Sequence, residues 1–118
     1  MALSITQREV GGVTVLTLAG DLGLGQESAS LRDKVKKLLA EGTRKIVLDM
    51  AKVSLIDSAG LGTLVGLHQS AKTAGGAIRM CNLNSRLKEL LVMTRLIVIF
   101  GDGVSNGEAD AIKSLAAN

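Results

Sequence analysis

An α/β domain, a mixed β-sheet with helices packed on it, is the fold class this sequence predicts. Three observations carry the prediction. Ser4 to Val10 and Val13 to Leu18 are strand-like segments joined by Gly11-Gly12, which is a hairpin signal. Beyond them, short apolar runs alternate with segments of helical period. Finally, 118 residues of which 47% are apolar suffice for one core without disulfide staples, and Cys81 has no second thiol to pair with.

The elements follow in order. Ser4 to Val10 alternates weakly, and Val13-Thr14-Val15-Leu16-Thr17-Leu18 is rich in β-branched residues, so both read as strands. Gly20 to Gly25 reads as a glycine-rich loop. Leu31, Val35, Leu38 and Leu39 recur at helical spacing, and Gly42 stops that helix. Lys45 to Met50 is a short apolar run of the kind a buried strand shows. After Val53 to Ile56 comes Asp57-Ser58-Ala59-Gly60-Leu61-Gly62, opening a helix that runs to about Thr73 and ends at Gly75-Gly76. Ala77 to Cys81 reads as a fourth strand. Asn84 caps a helix with Leu87, Leu90, Leu91 and Thr94 on one face. Ile97 to Phe100 reads as a last short strand. Glu108 to Ala117 reads as a final helix with a thin stripe of Ala109, Ile112 and Leu115. Strands joined through helices are expected to be parallel neighbours, and sites on such sheets gather at strand carboxyl ends. Asp57-Ser58 and the Gly20–Gly25 loop both fall at such ends.

Composition narrows the function. One domain, residues 1–118, is expected, since no Pro, low-complexity segment or repeat marks a linker. No apolar run has the length of a membrane span, and Met1-Ala2-Leu3-Ser4 does not open like a signal peptide, so a cytoplasmic protein is expected. The 14 Lys+Arg against 11 Asp+Glu are mildly basic, with Arg32, Lys34, Lys36 and Lys37 in one helix. Phe100 is the only aromatic residue, so the stacking platforms of a nucleic-acid reader are missing and no direct nucleic-acid binding is expected.

The inventory for catalysis is nearly empty. His68 is the only histidine, mid-helix near the apolar face, and a lone helical histidine is more often structural. No Cys/His set has metal-ligand spacing, no G-x-S-x-G is present, and neither glycine cluster matches a nucleotide fingerprint. No cofactor, no metal and no enzyme activity are expected. Asp57 or Ser58 is a natural N-cap. Ser58 is also a candidate phosphoacceptor, since a phosphate there meets helix amides and the positive end of the dipole, while Asp57 repels it. Ala59, Gly62 and Gly66 share one side of the helix, and close packing on the sheet is the favoured account of them. A flat surface for a partner backbone is the sharper one.

Ile46-Val47-Leu48-Asp49, followed by Val53-Ser54-Leu55-Ile56-Asp57-Ser58-Ala59-Gly60-Leu61-Gly62, resembles the signature of STAS domains, whose name joins sulfate transporters and anti-sigma factor antagonists. Gly75-Gly76 before a strand, and Asn84 to Thr94, add to the resemblance, which covers about Val13 to Phe100. It implies a free-standing anti-sigma factor antagonist in a bacterial partner-switching system. Ser58 would be phosphorylated by an anti-sigma factor serine kinase and reset by a serine phosphatase. The unphosphorylated domain would bind that kinase and free a sigma factor, and the ATP would belong to the kinase. Asp21, Asp57, Ser58, Ala59, Gly60, Leu61 and Gly62 are the partner-binding residues it implies, with a weak homodimer allowed. One departure stands out. Family members carry Asp or Asn shortly after the strand-ending glycine, whereas here Gly20-Asp21-Leu22 is followed by Gly23. Asp21 stands in for the missing group, or the kinase contact is altered. The alternative is a non-phosphorylated adaptor or scaffold in a transporter-associated or signalling complex.

Overall fold

The computed structural model describes residues 3–23, 26–100, 104–105 and 107–116. A hairpin of β1 (Ser4–Val10) and β2 (Val13–Leu22) opens the chain. Its two-residue turn holds Gly11 at φ 56° and Gly12 at φ 83°, the left-handed pair that a tight hairpin requires. Then come α1 (Gln26–Ala40), β3 (Lys45–Ile56), α2 (Ser58–Thr73), β4 (Ala77–Cys81), α3 (Ser85–Met93), the single turn α4 (Ile97–Phe100), β5 (Val104–Ser105) and α5 (Glu108–Ala116). The sheet order is β1-β2-β3-β4-β5. β1 is antiparallel to β2, and the other pairs are parallel. The mixed sheet, the hairpin and the parallel neighbours are as expected.

Helices α1 to α4 cover one face of the sheet. Leu31, Val35, Leu38 and Leu39 from α1 meet Leu16, Leu18, Leu48 and Met50 from the strands and Leu61, Leu64 and Leu67 from α2. α5 covers the other face, where Ala111 and Leu115 close over Val13, Val15, Val47 and Cys81. Being covered on both sides is why β2 and the first half of β3 read as near-continuous apolar runs.

Both long helices end in the same way. The Gly42 amide donates to Leu39 O and that of Thr43 to Leu38 O. Likewise the Gly75 amide donates to Lys72 O and that of Gly76 to Ala71 O. These are Schellman closures, with Gly42 at φ 100° and Gly75 at φ 83°.

Four details depart from the sequence expectations. Ile97 to Phe100 is a helical turn, not a strand: the Phe100 amide donates to Leu96 O, and Phe100 packs on the main core. Four apolar residues do not distinguish strand from helix, and the last strand is Val104–Ser105. The expected glycine loop begins late, because β2 continues through Gly20 and Asp21 to Leu22, while Leu24 and Gly25 lie outside the described residues. Lys45 to Met50 and Val53 to Ile56 form one strand of 12 residues. In α5, Ala111 is buried and Ala109 exposed, so the stripe is Ala111, Leu115 and the half-buried Ile112, and Ala117 lies outside the described residues.

Candidate functional site

β2 and β3 end side by side, with Asp21 opposite Leu55 and Leu22 opposite Ile56. α2 starts two residues later. Asp57 is its N-cap: extended backbone, with Oδ1 accepting from the Gly60 amide at 2.9 Å. The cap therefore falls on Asp57 rather than Ser58, which leaves Ser58 as the first helical residue, exposed to solvent. No acidic residue lies in the first turn of α2. The positive end of the helix dipole thus lies beside the Ser58 hydroxyl, with the Gly60 amide already taken by Asp57.

Two glycines set this geometry. A β-carbon on Gly60 would collide with the carbonyl of Leu22, so the helix start lies directly against the end of β2. The Asp57 amide donates to that same carbonyl at 3.4 Å. A β-carbon on Gly23 would stand 2.7 Å from Oδ2 of Asp57. Oδ2 is the free end of the Asp57 side chain, so a larger residue at 23 would be met by a shift of that carboxylate.

The site residues divide by burial. Asp57, Ser58 and Gly62 are exposed, and Asp21 and Ala59 are half-buried. Gly60 is buried and Leu61, 7% exposed, belongs to the core. Gly60 and Leu61 shape the site from beneath, and neither presents a side chain to a partner.

Grooves lie on either side of Ser58. One, of about 450 Å³, runs between the end of β3 and α3 and is lined by Leu55, Ile56, Leu87, Leu90 and Met93 with Arg86 and Glu89. Leu55 is 57% and Met93 76% exposed, a degree of apolar exposure the fold itself does not use. Asn84 caps α3 at the edge of this groove, its Oδ1 accepting from the Leu87 amide at 2.8 Å. The other groove, of about 330 Å³, lies between α1 and α2 and is lined by Arg32, Lys36, Ala59, Gly62, Thr63 and Gly66 among others. A β-carbon on Gly62 or Gly66 would meet nothing within 4 Å. The close-packing account of these glycines is therefore overturned, because they face open space.

The sequence reading missed the apolar groove and the cationic wall. Leu55 could not be placed outward by counting alternation, because β3 shifts register twice against β2. In the sequence Arg32 and Lys36 are two of four basic residues in one helix, with nothing to set them apart from Lys34 and Lys37.

Groups elsewhere are held for structure. His68 sets its ring edge against Phe100. Burial pushes the Cys81 thiol up to about 12, with the charges of Asp49 and Glu108 adding to the effect, so it remains a thiol. Asp49, 8% exposed, accepts from the Ala51 amide and from Asn82 Nδ2, both at 3.1 Å. Desolvation pushes its carboxyl up, but the bonds with Glu108, Ala51 and Asn82 and the charge of Arg8 outweigh this and hold it below the usual range. Arg8 in turn pairs with Glu108, tying β1 to α5. Among the described residues, no three His, Cys, Asp or Glu side chains gather as a metal site, and no helix is long and apolar enough to cross a membrane.

A hairpin-led mixed sheet with helices packed on it, and a strand-to-helix turn at the ends of β2 and β3, is the architecture of a STAS-type fold. The chain belongs to the STAS domain family, whose model matches residues 4–111. It is 27% identical over 120 residues to the anti-sigma F factor antagonist of Paenibacillus polymyxa, covering 98% of this chain and 97% of that one. It is 32% identical over 81 residues to the anti-sigma-B factor antagonist of Bacillus subtilis (strain 168), covering 69% of this chain and 72% of that one. Among solved structures it resembles the anti-sigma factor antagonist SpoIIAA in its unphosphorylated form, with a TM-score of 0.73 and 19% identity over 98% of this chain and all of that one.

Proposed function

We propose that this chain is a cytoplasmic, single-domain, non-enzymatic anti-sigma factor antagonist switched at Ser58. Unphosphorylated, it sequesters an anti-sigma factor serine kinase through the edge formed by Asp21, Asp57, Ser58, Ala59 and Gly62, and so frees a sigma factor. The observation that carries this reading is the exposed Ser58 at the start of α2, in a chain aligned almost end to end with a named antagonist. SpoIIAA, which shares the fold, has also been solved in a phosphorylated form.

In the proposed switch the Ser58 oxygen bonds to the γ-phosphorus of ATP held by the kinase. The bond to the β-phosphate oxygen breaks, ADP leaves, and the hydroxyl proton passes to the kinase. The added charge of about −1.5 to −2 is tolerated by the helix start, but it repels Asp57 and any partner packed on the edge. A serine phosphatase hydrolyses the ester and restores binding. The chain itself needs no cofactor.

The test compares wild type, Ser58→Ala and Ser58→Asp for binding to the host's anti-sigma factor kinase, with peptide mass spectrometry on protein from that host. Ser58→Ala should bind constitutively and Ser58→Asp at least about tenfold more weakly, a difference of about 1.4 kcal/mol. Equal affinities for all three proteins would sink the switch. Gly23 favours the second reading, a non-phosphorylated adaptor, because the family's Asp/Asn position is filled here by a residue with no side chain. An unmodified Ser58 under several growth conditions, with a transporter bound in place of a kinase, would support it.

A further inference from the structure

We propose that the groove between α1 and α2 seats an acidic helix of the protein partner, extending the edge at Ser58, with which it shares Ala59 and Gly62, along α2. The identity of the partner rests on the function proposed above, whereas the chemistry of the groove does not. Its wall is cationic: Arg32 and Lys36 stand four residues apart on α1, and among the described residues no acidic side chain lines the space. Neither cation forms an ion pair with any described residue. Its floor is the exposed side of α2, where Gly62 and Gly66 have open space above them.

The glycines are the informative part. Neither has a positive φ, so neither is needed for backbone conformation. Neither avoids a clash within the fold. Each weakens α2 relative to alanine, because glycine loses more chain entropy on entering a helix. What they supply is a floor without side chains, on which another backbone can lie close.

The dimensions suit a helix. The α2 residues that line the groove run from Ala59 to Ser70. At 1.5 Å per residue that is roughly 16 Å, about three turns. Arg32 and Lys36, one turn apart, match two carboxylates spaced three or four residues along an opposing helix. Nucleic acid suits the groove less well, since no aromatic side chain lines it for stacking. A second copy of the chain suits it less well too. Its formal charge is +3, and no helix of the described residues carries two acidic residues three or four apart.

The experiment titrates the host's anti-sigma factor kinase calorimetrically, at low and high salt. The proteins are wild type, Gly62→Ala/Gly66→Ala, Arg32→Glu/Lys36→Glu and Ser58→Asp. The alanine pair should raise the thermal midpoint by roughly 5 °C, because it removes two helix glycines without a clash. It should also weaken kinase binding at least about tenfold, by filling the floor. The glutamate pair should weaken binding and lose the salt dependence of the wild type. An alanine pair that is more stable and binds as well as wild type overturns the proposal. So does a duplex oligonucleotide that displaces the kinase from wild type, or a dimer that Arg32→Glu/Lys36→Glu dissolves. If Ser58→Asp releases the kinase while both groove variants hold it, the groove alone fails. If the groove variants release it while Ser58→Asp does not, the groove stands and the phosphoswitch fails. No binding by the wild type overturns both.

Discussion

His68 sits on the inner flank of α2, with its ring centroid 5.4 Å from that of Phe100 and the planes inclined by 64°. Its Nδ1 is buried without a hydrogen-bond partner among the described residues. Burial lowers its pKa, and the positive charges of Lys72 and Arg79 lower it further. The sign of the consequence is fixed. In the unfolded chain the imidazole takes up a proton near its ordinary value of 6.5, and in the folded chain only at lower pH. Between those two values the unfolded state binds more protons, so stability present at neutral pH is lost as pH falls through that window. Urea titrations from pH 7.5 down to about 5 should show a declining unfolding free energy for wild type. His68→Leu keeps an apolar contact with Phe100 and removes the proton, so its curve should be flatter over this range. Equal slopes would show that another group carries the acid sensitivity there. Asp49, also held below its ordinary value, contributes in a separate and more acidic window, below about 3.8.

At the scale of elements, the join between β2 and α2 sets Gly23 beside the Asp57 carboxylate. Gly23→Ala makes Oδ2 of Asp57 shift while the cap is made through Oδ1, so it should cost less than a lost N-cap, which is worth about 1 kcal/mol. Asp57→Ala removes the cap and should cost about 1 kcal/mol on its own. In the Asp57→Ala background the alanine at 23 has nothing to displace, so the two losses should not add. A double-mutant cycle by chemical denaturation measures this directly, and full additivity would break the argument. This contact joins residues far apart in number, and it marks where sequence reading stops. Local chemistry was legible: the Gly11-Gly12 turn, the Gly42 and Gly75 closures, the Asn84 cap and the helix start after Asp57 all follow from what those residues do to their own backbone. The turn at Ile97 to Phe100 was not, because the packing of Phe100 on His68 and the main core decides its conformation. Nor was the outward Leu55. β3 shifts register between the pairs at Asp49 and Lys52 and again between those at Val53 and Leu55. Met50, Val53 and Ile56 therefore face the same core at intervals of three rather than two, and Leu55 is turned away. Only the pairing with β2 contains that information.

For the whole molecule, the proposed switch at Ser58 would keep signalling apart from folding. The core beneath the helices and the smaller one under α5 are both built from the body of the sheet, while Ser58 stands beyond the carboxyl ends of β2 and β3, exposed and in neither. A phosphate there brings about two negative charges to a chain of formal charge +3, next to a helix start with no acidic residue in its first turn. The dipole and amides offset part of the repulsion from Asp57. Nothing in the described fold has to move to make room for it. A protein with phosphoserine installed at position 58 during translation should therefore unfold within roughly 3 °C of the wild type, since the opposing terms are each about 1 kcal/mol. Its amide spectrum should shift only near the ends of β2 and β3 and in the first turns of α1 and α2, while kinase affinity falls at least about tenfold. Shifts spreading to β4 and α5 would mean instead that the signal travels through the sheet, and the switch would then be a change of fold rather than a change of surface.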